Sequence, residues 1–140
     1  MNTEYKSNNN IVYSCKYHVI WCSKYRRKVL TGSIADRLRE LLLDYAKTIH
    51  TDIIEMEILP DHVHIRMEVD PQFGIHKAVK SLKGYTSKIL REEFPILKTK
   101  LPTLWTNSYF VSTTDGAPLD AIKKYISQQK TSQRQKDKLG

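Results

Sequence analysis

Apolar residues recur along this chain with two different periods, and the order in which those periods follow one another is what most narrows its possible folds. From Ile11 to Trp21 the chain is rich in β-branched and aromatic residues (Val12, Tyr13, Tyr17, Val19, Ile20), which predicts one long strand. Ile34, Leu38, Leu41, Leu42, Tyr45, Ala46 and Ile49 then fall at helical spacing, with Ser33 placed to cap the first turn. Alternation returns over 52–58, where Ile54, Met56 and Ile58 interleave with Glu55 and Glu57, and again over 62–69. Leu59-Pro60-Asp61 between these two segments predicts an antiparallel hairpin. Pro71-Gln72-Phe73-Gly74 breaks the sheet, and Ile75, Ala78, Val79, Leu82, Tyr85 and Ile89 make the stripe of a second helix that ends near Pro95. A basic connection through Lys98, Lys100 and Pro102 leads to a short strand over 108–112. A last helix over 117–131 opens near Pro118 and carries Leu119, Ile122 and Ile126 on one side. The polar residues 132–140 read as a flexible tail.

The order β-α-β-β-α-β plus one helix is that of the split-βαβ, ferredoxin-like arrangement. It predicts an α/β (α+β) fold: an antiparallel sheet, two helices on one face, first and third strands central, and an extra C-terminal helix. With 140 residues the chain reads as a single domain over 1–140, the sheet and two helices occupying 11–112. No apolar run approaches the roughly 20 residues that span a bilayer, and Met1 to Asn10 lacks the apolar centre of a signal peptide. The expectation is a cytoplasmic protein without membrane contact. Cys15 and Cys22, on opposite faces of one predicted strand, cannot pair, and their spacing is poor for zinc, so both read as structural thiols.

His62-Val63-His64 places two imidazoles at i and i+2, on one face of a strand and close enough to share a metal ion. Read alone, the pair is equally a hydrogen-bonded structural pair. Barrel hydrolases with a similar signature need roughly 250 residues, more than this chain has. Asp61 just before it either makes the turn, the expected role, or positions a histidine. Tyr125 and Gln129 are i and i+4 on the last helix, so both side chains reach one site. An amide oxygen from Gln129 suits a third ligand and a phenol beside a metal can act as a nucleophile, although a tyrosine next to an apolar stripe also reads as the edge of a core.

Lys and Arg number 23 against 15 Asp and Glu, a net charge of +8, which favours an anionic partner. The basic residues gather at Lys24, Arg26, Arg27 and Lys28, along the second helix at Lys83, Lys88 and Arg91, and in the tail. Trp21, Tyr25, Tyr85 and Trp105 interleave with or flank them, a mixture that suits single-stranded nucleic acid. No phosphate-binding glycine loop and no G-x-S-x-G elbow is present.

Taken together, Tyr17-His18-Val19-Ile20-Trp21-Cys22, Lys24-Tyr25-Arg26-Arg27, Pro60-Asp61-His62-Val63-His64, Leu104-Trp105-Thr106-Asn107-Ser108-Tyr109-Phe110 and Tyr125-Ile126-Ser127-Gln128-Gln129 resemble the small single-tyrosine HUH transposases of bacterial insertion sequences. The resemblance implies that His62, His64 and Gln129 bind a divalent metal, Mg²⁺ or Mn²⁺, and that Tyr125 attacks a phosphodiester of single-stranded DNA to leave a 5′-phosphotyrosine. It also implies recognition of DNA hairpins near the element's ends, and a homodimer in which the tyrosine of one subunit completes the histidine site of the other. Two imidazoles and an amide are softer than Mg²⁺ usually prefers, so the metal's identity stays open. The same fold also serves non-catalytic modules that bind hairpin DNA or RNA.

Overall fold

A computed structural model of the chain describes residues 5–113 and 119–131. Strands β1 (Lys6–Ser7) and β2 (Val12–Tyr13) pair with each other as a small hairpin, and β3 runs over Lys16–Cys22. The predicted long strand is therefore broken at Ser14 and Cys15. The cause is local: Asn8 Oδ1 accepts the amides of Asn10 (2.7 Å) and Ile11 (2.8 Å), an Asx turn that folds Val12–Tyr13 back on β1.

Helix α1 (Gly32–Thr48) is followed by β4 (Thr51–Leu59), β5 (His62–Val69), α2 (Ile75–Glu93), α3 (Ile96–Lys100), β6 (Phe110–Ser112) and α4 (Leu119–Ser127). Thr31 rather than Ser33 precedes α1, because Gly32 at φ 55° turns the chain into the helix early. The predicted basic connection contains a short helix, α3, whose Leu97 is buried. The expected helix opening near Pro118 and the 132–140 tail lie outside the described residues.

Strand order is β4-β5-β3-β6, all antiparallel, so the first and third strands of the β-α-β-β-α-β unit are central as predicted. Val19 and Trp21 of β3 and Val63, Ile65 and Met67 of β5 face α1 (Leu38, Leu42, Ala46) and α2 (Ala78, Val79, Leu82), and all of them are essentially without exposure. Each large apolar side chain buried this way contributes about 1.5–3 kcal/mol. A slip of one residue would turn the whole set to solvent, which fixes the register. In β4 the pairing shifts between Ile53 and Glu55. That bulge puts Ile53 against the core and turns Ile54 outward, so Ile54 does not share the apolar face predicted for it with Met56 and Ile58.

Candidate active site

Paired residues of neighbouring strands project from the same side of the sheet, and the register pairs His64 with Ile20, His62 with Cys22, and Ile20 with Phe110. The face opposite the core thus carries His62 and His64, as the i, i+2 spacing predicts, together with His18, Arg66 and Phe110.

Each histidine has its own support. Asp61 Oδ1 lies 2.8 Å from His62 Nδ1, and Arg26 Nε donates to Asp61 Oδ2 at 3.2 Å. Asp61 therefore positions a histidine as well as standing in the turn, which corrects the expectation of a turn role alone. Burial opposes its charge, but the hydrogen bonds from His62 and Arg26 outweigh it and hold the carboxyl below its ordinary range. A charged Asp61 favours the proton on His62 Nδ1 and leaves Nε2 with its lone pair, the arrangement that suits metal ligation. His64 Nε2 lies 3.4 Å from His18 Nδ1, with the two rings 5.6 Å apart. Burial first, and His18 second, lower the His64 pKa and favour the neutral imidazole a metal requires. Sequence reasoning missed His18 as a neighbour, because its approach depends on cross-strand register.

Tyr125 comes to the same face from α4 and Gln129 from just past its end: the helix predicted to run to 131 stops at Ser127, and the chain closes beyond it in a turn in which the Gln129 amide donates to the Ile126 carbonyl at 3.1 Å. The Tyr125 ring rests 6.0 Å from that of Phe110, and its hydroxyl is 2.9 Å from Ser108 Oγ, which also donates to Gln129 Oε1 at 3.3 Å. Gln129 Nε2 donates to the Tyr125 carbonyl at 3.0 Å. Burial raises the Tyr125 pKa despite the Ser108 hydrogen bond. Among the described residues no hydrogen bond joins Tyr125 or Gln129 to either histidine, and no group of three His, Cys, Asp or Glu side chains is placed to hold a metal ion. Two imidazoles on one face, one held from behind by a carboxylate and the other favoured in its neutral form by burial, are a donor set that fits a divalent ion once an amide oxygen joins them.

Beside this site a cleft of about 360 Å³ is lined by Lys24, Asn107, Ser108, Gln128, Gln129 and Lys130. Arg27, Lys28 and Lys88 are exposed, while Lys24, Arg26 and Arg91 are half-buried. Lys83 is half-buried too, and its ammonium donates to the carbonyls of Thr106 (2.7 Å) and Ser108 (3.0 Å). The aromatics expected to stack on bases are engaged elsewhere. Trp21, Tyr25 and Trp105 are 0%, 4% and 5% exposed in the core, and Tyr85 stacks on Tyr45 with centroids 4.1 Å apart. Both cysteines are free thiols, and burial pushes Cys22 up to about 11.

A family model described as "Transposase IS200 like" matches residues 11–129. The ISDra2 transposase TnpA of Deinococcus radiodurans is 41% identical over 128 residues, covering 90% of this chain and 91% of that protein. The transposase for insertion sequence element IS200 of Salmonella typhimurium is 31% identical over 130 residues, covering 91% and 82%. A crystal structure of a candidate transposase from Deinococcus radiodurans superposes with a TM-score of 0.82 at 35% identity, covering 91% of this chain and 99% of that one. A REP-associated tyrosine transposase bound to a REP hairpin shares the fold alone, with a TM-score of 0.55, 11% identity, and coverage of 86% and 67%.

Proposed function

The chain belongs to the IS200-like transposase family, and we propose that it cuts and rejoins single-stranded DNA at the ends of an insertion sequence through a 5′-phosphotyrosine on Tyr125. The observation that carries this reading is the convergence, on one face of the sheet, of the His62 and His64 imidazoles with Tyr125 on α4 and Gln129 just past its end.

The Tyr125 oxygen attacks the scissile phosphorus as it gives up its proton. The P–O3′ bond breaks, and the departing 3′ oxygen is protonated to a free 3′-OH. Because the phosphate ester is exchanged rather than hydrolysed, attack by a different 3′-OH reverses the step and joins new ends without a nucleotide cofactor. A divalent ion, Mg²⁺ or Mn²⁺, held by His62, His64 and Gln129, would draw charge from the phosphate oxygens as the bond breaks. Asp61 and Arg26 hold the His62 ring at its angle, and the rigid β5 register holds His64 beside it.

Lys24, Arg26, Arg27, Lys28, Lys88 and Arg91 supply phosphate contacts for a single strand bearing a hairpin. A neighbour of the same fold is bound to a REP hairpin, which supports that substrate form. The working unit is a homodimer in which α4 is exchanged, so that Tyr125 of one subunit makes on the other the contacts it makes within the single chain and serves that subunit's histidines. β6 stands last in the strand order with Val111 exposed, which is consistent with a sheet that continues into a second copy.

The test uses end-labelled oligonucleotides from the element's termini, incubated with the full chain and Mg²⁺ or Mn²⁺. The expected result is a covalent protein–DNA adduct that survives denaturation. Tyr125→Phe should bind the same hairpin and form no adduct, since only the hydroxyl is removed. An adduct in that variant overturns the assignment, and a wild-type chain that binds hairpins without cutting them is a binding module.

A further inference from the structure

Lys83 is a cation with an unusual set of partners. It lies in the middle of α2, half-buried, and among the described residues no carboxylate stands within ion-pair range of it. Burial lowers its pKa to about 8. An ammonium removed from water without a counter-charge is costly, so hydrogen bonds must offset the loss. Here the partners are two main-chain carbonyls, Thr106 at 2.7 Å and Ser108 at 3.0 Å.

The two carbonyls flank a bend at Asn107, which is exposed at its tip, so the ammonium ties the two sides of that turn together. The approach to the turn is fixed independently. The Lys24 amide donates to the Leu104 carbonyl at 2.7 Å, the Thr106 amide donates to that of Cys22 at 3.0 Å, and Trp105 Nε1 donates to Thr86 Oγ1 at 3.1 Å. From this turn the Ser108 hydroxyl meets Tyr125 Oη at 2.9 Å and Gln129 Oε1 at 3.3 Å. An amide oxygen can only accept, so Ser108 donates to Gln129 and accepts the Tyr125 proton. The phenol's one O–H direction is thereby set by the turn.

We propose that Lys83 and Ser108 are positioning residues for the nucleophile: Lys83 gathers the 106–108 carbonyls into a turn, and that turn aims the Tyr125 hydroxyl through Ser108. This rests on Tyr125 being the nucleophile, and it takes Lys83 out of the set of phosphate contacts to which its place in a basic helix assigns it. Misdirecting one reacting group by an ångström is enough to slow such a step by one or two orders of magnitude.

The test compares Lys83→Met, Lys83→Arg, Ser108→Ala, Ser108→Thr and the Lys83→Met/Ser108→Ala double variant in the full chain. Two quantities are read: the single-turnover rate of covalent adduct formation at saturating hairpin DNA, and the hairpin Kd with its salt slope. Lys83→Met and Ser108→Ala should each slow adduct formation about tenfold or more while Kd stays within about twofold and the salt slope is unchanged. Ser108→Thr, which keeps a hydroxyl, should recover most of the rate. The double variant should be no slower than the slower single one, because both changes break the same path. A salt slope reduced by about one, with the saturated rate unchanged in Lys83→Met, makes Lys83 a phosphate contact and overturns the proposal. If Lys83→Met does not fold, the exposed Ser108 still decides: a wild-type rate in Ser108→Ala refutes the positioning role. Should Tyr125→Phe still form an adduct, the nucleophile assignment fails first; if only Tyr125→Phe is dead, the positioning role alone fails.

Discussion

Nδ1 of His62 lies 2.8 Å from Oδ1 of Asp61, so a carboxylate from the preceding turn grips the imidazole from the side away from any ligand. Arg26 holds the second oxygen of the same carboxylate. Turn, basic segment and histidine thus move as one unit.

This unit makes a metal prediction. Asp61→Asn keeps a side chain of the same shape but removes the charge that fixes the His62 tautomer, and it should raise the Mn²⁺ concentration needed for half-maximal cleavage by roughly 10–100-fold. His64→Ala, and excess chelator on the wild type, should abolish cleavage while hairpin binding persists. A metal titration of cleavage beside an anisotropy measurement of binding separates the two effects. Undiminished cleavage in chelator would return both histidines to a structural role.

Substrate form is tested by salt. With about six phosphate contacts, hairpin affinity should fall on the order of a hundredfold or more between about 50 and 200 mM salt, and at any one salt it should exceed affinity for the same sequence as perfect duplex. Anisotropy titrations on both forms check this, and tighter binding to the duplex contradicts it.

Shared active sites can be read by complementation. Tyr125→Phe and His64→Ala chains are each inactive alone; mixed under conditions that allow exchange, they should regain cleavage, because one site of the heterodimer unites an intact tyrosine with intact histidines. Failure to recover activity with heterodimers demonstrably present places both groups within one chain. The connection over 113–118, expected to let α4 leave its own subunit, lies outside the described residues except for Thr113.

A stability prediction concerns the pair Trp105 and Thr86. Thr86 Oγ1 accepts from the indole at 3.1 Å in the core and donates to the Leu82 carbonyl. Thr86→Val preserves shape and strands a buried N–H, which should cost about 1–3 kcal/mol. Urea unfolding should show a lower midpoint with an unchanged slope, and Thr86→Ser should lose less.

Much of this was legible in advance wherever one strand or helix carried the whole signal. The alternation of Val63, Ile65 and Met67 with His62, His64 and Arg66 reports both the face of β5 and the side on which chemistry lies. The spacing of Tyr125 and Gln129 correctly predicts that they meet, at Ser108, although α4 ends at Ser127 and Gln129 lies beyond it. What escaped was created by elements meeting. His18 beside His64 needs the β3–β5 register, Lys83 is buried only because the 104–108 segment folds over α2, and the base-stacking role given to Trp21 and Trp105 vanishes once the two pack edge to face at 5.9 Å. The break after Tyr13 was hidden because strand-forming residues lie on both sides of it and only their partners differ, Val12–Tyr13 pairing with β1 and Lys16–Cys22 with β5.

Strand β5 also shapes how such a chain can be inherited. Its odd-numbered positions from Val63 to Val69 lie in the hydrophobic interior, whereas His62, His64 and Arg66 stand on the opposite face, so a substitution at one of those three can change the chemistry and still leave the chain folded. Losing or gaining a single codon inside the strand allows no such compromise, because every side chain beyond it trades places, imidazoles entering the oil and valines meeting water. Descendants of this protein therefore bear a changed letter on the outer face of β5 more easily than a changed length.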